Sequence, residues 1–118
     1  MRRVLLKSKI HNARVTQANL DYEGSITLDE HLMESADIIE YERVQVVNCN
    51  TGARFETYVM KGAKGSGIIG LNGPAARLGQ ENDTVHILSY VILAKNESKN
   101  YKPILLTLNE KNEIIQKK

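Results

Sequence analysis

The strongest constraint on the fold is a rhythm. Short runs of Val, Ile, Leu and Thr recur along the chain, and each is cut off by Gly, Asn or a charged residue before it could build a long helix. Such a pattern predicts a mainly β protein of many short strands. Val4 to Ile10, Ala13 to Leu20 and Ser25 to Leu28 read as strands, with a turn over Asp21 to Gly24. Arg43 to Cys49 and Arg54 to Met60 flank Asn50-Thr51-Gly52, whose Asn and Gly suit positive φ and predict a hairpin. Gly62 to Gly67 reads as a further turn, and Ile68 to Leu71, Thr84 to Leu93 and Pro103 to Leu108 as further strands.

Helices are expected at two places only. Leu32, Met33, Ala36 and Ile39 form an apolar face over roughly three turns, with Thr27 and Glu30 at capping-box spacing and Asp29 as the competing N-cap. Asn72 to Gly79 predicts a turn or two of helix, with Pro74 at the permissive first position and Gly79 as its stop. Lys95 to Asn100 is polar enough for an exposed loop, and the charged tail Glu110 to Lys118 is expected to be poorly ordered. With 118 residues, 42% of them hydrophobic, the chain can build one core, so a single domain over residues 1–118 is expected.

Charge and composition remove several classes of function. The net charge of +2 is too near neutral to suggest nucleic acid, although residues 1–24 hold five basic side chains against two acidic ones. That basic segment could hold a small dianion or simply face solvent. No apolar run is long enough to cross a membrane, and Val4-Leu5-Leu6 is too short for a signal-peptide core, so a soluble, cytoplasmic protein is expected. Cys49 is alone and cannot form an internal disulfide. His11, His31 and His86 lack companions at ligand spacing, which argues against a metal site. Gly62 to Gly67 lacks the Gly-Lys-Ser/Thr ending of a phosphate loop and reads as a turn.

One dipeptide carries chemical potential. Gly24-Ser25 at a turn is ordinarily turn chemistry, since Gly supplies unusual backbone angles and Ser bonds nearby backbone. A serine hydroxyl can also attack the carbonyl just before it, if the turn strains that peptide and a neighbour polarises the carbonyl. The resulting ester can eliminate its acyl group to leave dehydroalanine, whose hydrolysis gives a ketone and ammonia.

Around this dipeptide, Leu6 to His11, Val15 to Leu20, Tyr22 to Thr27, Asn50 to Tyr58 and Asn72 to Ala76 together resemble the pyruvoyl-dependent aspartate decarboxylase family over nearly the whole chain. The resemblance implies a six-stranded double-psi β-barrel with short helices. It also implies self-cleavage between Gly24 and Ser25 into fragments 1–24 and 25–118, and a homotetramer with active sites between subunits. The activity it implies is decarboxylation of L-aspartate to β-alanine and carbon dioxide, feeding pantothenate and coenzyme A synthesis. The cofactor would be a covalent pyruvoyl group made from Ser25, with no external cofactor, and its ketone would form a Schiff base with the substrate amine. Maturation by an accessory protein is compatible with this scheme.

Carried over residue by residue, Ser25 is the pyruvoyl precursor, and Tyr58 resembles the proton donor, a role suited to a phenol with an ordinary pKa near ~10. Lys9 and Arg54 resemble the cations that bind substrate carboxylates. Asn72, Gly73, Pro74 and Ala75 resemble the polar loop that orients substrate, although Asn72 could instead cap the short helix. Thr57 resembles a hydroxyl that serves both self-processing and substrate binding, and His11 and Tyr22 resemble pocket residues. In a regular strand Thr57 and Tyr58 face opposite ways, so a bulge, twist or second subunit is needed to unite them. Position 74 departs from the family's commoner Asn-Gly-Ala-Ala, and its proline removes one backbone N–H. An unprocessed, noncatalytic barrel used for binding is the alternative reading.

Overall fold

The computed structural model describes all of the chain, Met1–Lys118. Its strands are β1 (Arg2–Arg14), β2 (Gln17–Asn19), β3 (Ser25–Asp29), β4 (Arg43–Asn48), β5 (Arg54–Gly62), β6 (Ile69–Asn72), β7 (Thr84–Ala94), β8 (Ile104–Leu108) and β9 (Ile114–Lys117). Helix α1 spans Glu30–Ala36, a 3-10 helix spans Gly73–Arg77, and α2 spans Lys95–Ser98.

The strands hydrogen-bond in the order β2-β6-β3-β5-β4-β7-β1-β8-β9. Only Val15 and Thr16 separate β1 from β2. The Val15 N–H donates to the Asp83 carbonyl and the Thr16 N–H to the Ile69 carbonyl, so this first stretch of chain runs from the β7 side directly onto β6. β2, at one end of the order, and β1, beside β7, are therefore one continuous strand, and the sheet closes on itself as a barrel of six strands: β1/β2, β6, β3, β5, β4 and β7. Closure removes the edges that an open sheet would expose. Parallel pairs, β2 with β6 and β3 with β5, interrupt the otherwise antiparallel wall. The fold is the mainly β, six-stranded barrel expected of the double-psi class, with the β8–β9 hairpin added beside β1.

Side chains alternate across this wall as strand geometry requires. Ile10, Ile26, Leu28, Val44, Val46, Val59, Ile69, Leu71, Val85 and Ile87 point inward and are almost completely buried. Their neighbours along each strand, such as Arg43, Arg54 and Tyr58, point out.

Several local expectations are corrected. The helix expected to reach Ile39 stops after seven residues, because Asp37 adopts a left-handed conformation with φ 56° and its N–H turns back to the Glu34 and Met33 carbonyls; Ile39 lies beyond it and is exposed. Its cap is Asp29, whose carboxylate accepts the His31 N–H at 2.9 Å, while Thr27 lies inside β3. Lys95–Ser98 is helical rather than a loop, since the Glu97 carboxylate accepts the Ala94 N–H at 2.9 Å and pins the first turn.

The C-terminal tail is ordered too. Ile114–Lys117 pairs antiparallel with β8 as an edge strand, whose Lys117 suits that exposed position. The predicted hairpin at Asn50-Thr51-Gly52 is present, with Gly52 at φ 79°.

Candidate active site

Ser25 opens β3 and lies directly opposite Asn72, the last residue of β6. Both are buried, each with 2% of its surface exposed. The Asn72 side-chain amide donates at 2.9 Å to the Ser25 hydroxyl and at 2.9 Å to the Thr27 hydroxyl. Asn72 precedes the short helix but makes no side-chain cap, so its amide is committed to β3 instead.

Gly73 then turns the chain at φ 62°, and a Cβ there would stand 2.8 Å from the Gly24 N and from the Tyr22 carbonyl oxygen. Only a residue without a side chain lets the β6 turn close over the Tyr22 to Gly24 backbone. On the other side, a Cβ on Gly24 would meet the Pro74 ring at 3.3 Å. Pro74 occupies the permissive start of the helix, where its missing N–H breaks no helical bond. The structure thus brings Gly24, Ser25, Asn72, Gly73 and Pro74 together, with buried Ala75 next in the helix. Tyr22 contributes its backbone, while its side chain is exposed.

Strand β5 joins this seam to the rest of the wall. Ile26 pairs with Val59 in parallel register, and continuing that register backward puts Tyr58 level with Ser25 and Thr57 level with Gly24. The antiparallel pairing of β5 with β4 runs from Arg43 opposite Tyr58 to Val47 opposite Arg54 without a shift. No bulge therefore turns Thr57 and Tyr58 to the same side: Thr57 is half-buried and Tyr58 faces outward.

The remaining expected residues lie on the outer face of the β1-β7-β4-β5 wall. Arg54 is exposed and its guanidinium donates to the Gln45 side-chain oxygen at 3.0 Å. Lys9 and His11 lie on β1, in a shallow groove of about 320 Å³ between β1, β8 and β9. His11 stacks on His86, with ring centroids 4.1 Å apart and planes within 10°. The His86 Nδ1 accepts the Asn12 N–H at 3.1 Å, and its Nε2 lies 3.2 Å from the Cys49 sulfur. Burial, then the neighbouring His11 and Lys9, pushes His86 down to about 4; burial and the Lys9 charge lower His11 as well. From sequence His86 is weighed only as a metal ligand, and the pairing of β1 with β7 that sets it against His11 leaves no local signal.

Around the shorter side of the barrel Ser25 is level with Asn72 and Asn72 with Asn19, and Lys9 lies ten residues back along the continuous β1/β2 strand, about 33 Å of extended chain; Arg54 lies four residues, about 13 Å, along β5 from Tyr58, which is level with Ser25. A groove of about 460 Å³ lies on this outer face among Val4, Arg43, Gln45, Glu56, Tyr90 and Ile92, and contains none of the expected residues.

The arrangement can do two things chemically. The seam can hold a serine hydroxyl beside a peptide bond that is packed between two tight turns. The outer face can offer cations to an anionic ligand.

A family model described as aspartate decarboxylase matches residues 1–115. The chain is 53% identical over 116 residues to the aspartate 1-decarboxylase of Halalkalibacterium halodurans, covering 98% of this chain and 91% of the relative. It is 57% identical over 112 residues to that of Pelotomaculum thermopropionicum, covering 95% and 85%, and 60% identical over 111 residues to that of Acetivibrio thermocellus, covering 94% and 88%.

Proposed function

Because the chain belongs to the aspartate decarboxylase family, we propose that it decarboxylates L-aspartate to β-alanine and carbon dioxide through a pyruvoyl group made from its own Ser25, supplying pantothenate and coenzyme A synthesis in the cytoplasm. The observation that carries the reading is the seam itself: a buried serine hydroxyl held at 2.9 Å by Asn72, beside a glycine peptide over which Gly73 closes.

In this scheme the Ser25 hydroxyl adds to the Gly24 carbonyl carbon. The Gly24–Ser25 C–N bond breaks, an ester C–O bond forms, and the amine of residue 25 takes up a proton. Loss of the Ser25 α-proton and breakage of its Cβ–O bond then release the Gly24 carboxylate and leave dehydroalanine. Water adds to the tautomeric imine and ammonia leaves, so one water is consumed and one ammonia is released. The cradle fits this chemistry, since it already surrounds the scissile peptide with small residues and a hydrogen-bond donor. The pyruvoyl group would supply an electrophilic ketone for the substrate amine and an electron sink for the departing carboxylate's electrons.

The chain's own residues would do the rest. Lys9 and Arg54 bind the substrate carboxylates, with Arg54 able to form two parallel bonds. Asn72, Gly73 and Ala75 orient the substrate, Pro74 having no N–H to give. Thr57, level with Gly24, would polarise that carbonyl during self-processing, and Tyr58, level with Ser25, would return a proton to the substrate carbon. His11 and Tyr22 would border the pocket.

A small dicarboxylate does not span the wall between Ser25 and Lys9 of one chain. We therefore place the complete site between copies in a homotetramer, with Lys9 and Arg54 arriving from a neighbour. After cleavage, fragments 1–24 and 25–118 would stay together as one folded unit, since β1 pairs with both β7 and β8 and β2 pairs with β6.

Intact mass spectrometry with a carbon dioxide assay tests the proposal. The expected result is a chain cut after Gly24, a long fragment that begins with pyruvoyl, and release of carbon dioxide from L-aspartate. Uncut protein with full activity would refute the pyruvoyl mechanism, and uncut, inactive protein would favour a binding module.

A further inference from the structure

Thr27 lies two residues beyond Ser25 on the same face of β3, so its side chain comes up beside that of Ser25. A primary amide has two N–H protons, and Asn72 gives one to each of these hydroxyls, at 2.9 Å in both cases. Two acceptors on one amide fix its plane as well as its position. With only the Ser25 contact, the amide could turn about its last side-chain torsion, which has a broad profile.

Thr27 is itself held. A Cβ on Gly62 would lie 2.5 Å from the Ile68 Cγ2 and 2.9 Å from the Thr27 methyl carbon, so the space left by Gly62 is filled by these two methyl groups together. Across β6, a Cβ on Gly70, which pairs directly with Thr27, would lie 3.5 Å from the Thr27 Cβ. A β-branched side chain has few χ1 choices, and seating the methyl against Gly62 leaves the hydroxyl facing Asn72.

We propose that Thr27 is a positioning residue: it holds the Asn72 amide in register with Ser25 for self-cleavage, and keeps it there for decarboxylation. This inference rests on the pyruvoyl reading above. In that scheme the Ser25 oxygen leaves with the Gly24 carboxylate, so Asn72 loses one of its two partners when the chain matures. The Thr27 hydroxyl survives and keeps the amide aimed, with its freed N–H turned toward the ketone or the bound substrate. Ser25 is thus Asn72's temporary partner and Thr27 its permanent one.

The test uses the full chain in four variants, T27V, T27S, N72A and T27V/N72A, with wild type alongside. The readouts are the cleavage rate by intact mass and the thermal unfolding midpoint. T27V keeps the methyl against Gly62 and removes the oxygen, leaving an N–H of Asn72 without its acceptor; cleavage should slow about tenfold. T27S keeps the oxygen and should cleave within about threefold of wild type. Adding T27V to N72A should cost nothing further, since Thr27 acts only through Asn72.

Wild-type cleavage by T27V, a tenfold further loss in T27V/N72A relative to N72A, or a T27S chain as slow as T27V would each overturn the proposal. If T27V does not fold, the T27S rate decides alone. Failure of the pyruvoyl reading would show separately, as a wild-type chain that never cuts.

Discussion

At the β3–β6 seam, Ser25 and Asn72 are each 2% exposed, their side chains are bonded to one another, and the Gly73 turn closes over the Gly24 peptide. On the outer face of the β1-β7-β4-β5 wall, Arg54 and Tyr58 face solvent, and the only side-chain partner of Arg54 is Gln45. The first region is finished within one chain. The second presents Arg54 to solvent. On the proposed mechanism the difference separates two reactions: bond rearrangement at Gly24-Ser25 would need only groups that one fold supplies, whereas gripping a dicarboxylate beside Ser25 would take cations from a second copy.

Substitutions in the two regions should therefore have different signatures. The largest effect is expected from S25A, which removes the nucleophile: intact mass should show an uncut chain after any incubation, and carbon dioxide release should fall to background. R54A should cleave at the wild-type rate but lose about 10- to 100-fold in kcat/KM for L-aspartate, the scale of a charge-assisted hydrogen-bonded pair. Slow cleavage in R54A would erase the distinction between the regions.

A smaller effect is expected where β3 ends. The buried Asp29 accepts from the His31, Gly65 and Gly67 amides at 2.8 to 2.9 Å, clasping α1 and the Gly62 to Gly67 turn to the strand that carries Ser25. Burial works against its charge, but the Gly67, Gly65 and His31 amides outweigh that and hold its carboxyl below the usual range. D29A should lower stability by about 2 kcal/mol in urea titration, from a lost cap and orphaned amides.

The smallest effect concerns the outer face. A histidine whose folded pKa is depressed stays neutral while the unfolded chain takes up protons, so its cost appears as pH falls below the unfolded value of 6.5 and is complete near the folded value of about 4. Wild type should lose about 1 kcal/mol over that window, allowing for the ring's partial exposure, and H86F should lose less. Urea midpoints at a series of pH values would read it.

The barrel strands were legible because each is a short apolar run between turn residues, and Ser25 to Leu28 and Arg43 to Cys49 fall within a residue of the observed elements. The errors arose where a tertiary contact decided the outcome. Glu110 to Lys118 looked like a loose charged tail, yet β8 offers it an edge, and Asn112 is buried with its side chain bonded to Arg14 and Gly67. Thr27 was read as a helix cap, although its period-two spacing from Ser25 already placed it beside the nucleophile. The stack of His11 on His86 joins residues far apart in sequence, so only the fold could disclose it.

The claim that processing is complete within a chain while decarboxylation needs two can be tested by pairing defective copies. S25A has no nucleophile but an intact Arg54, and R54A the reverse. Co-expressed and purified as mixed assemblies, they should recover about a quarter of wild-type carbon dioxide release if copies mix at random and each site takes Ser25 and Arg54 from different chains. Activity no higher than that of R54A alone, in assemblies shown by mass to contain both chains, would contradict the account.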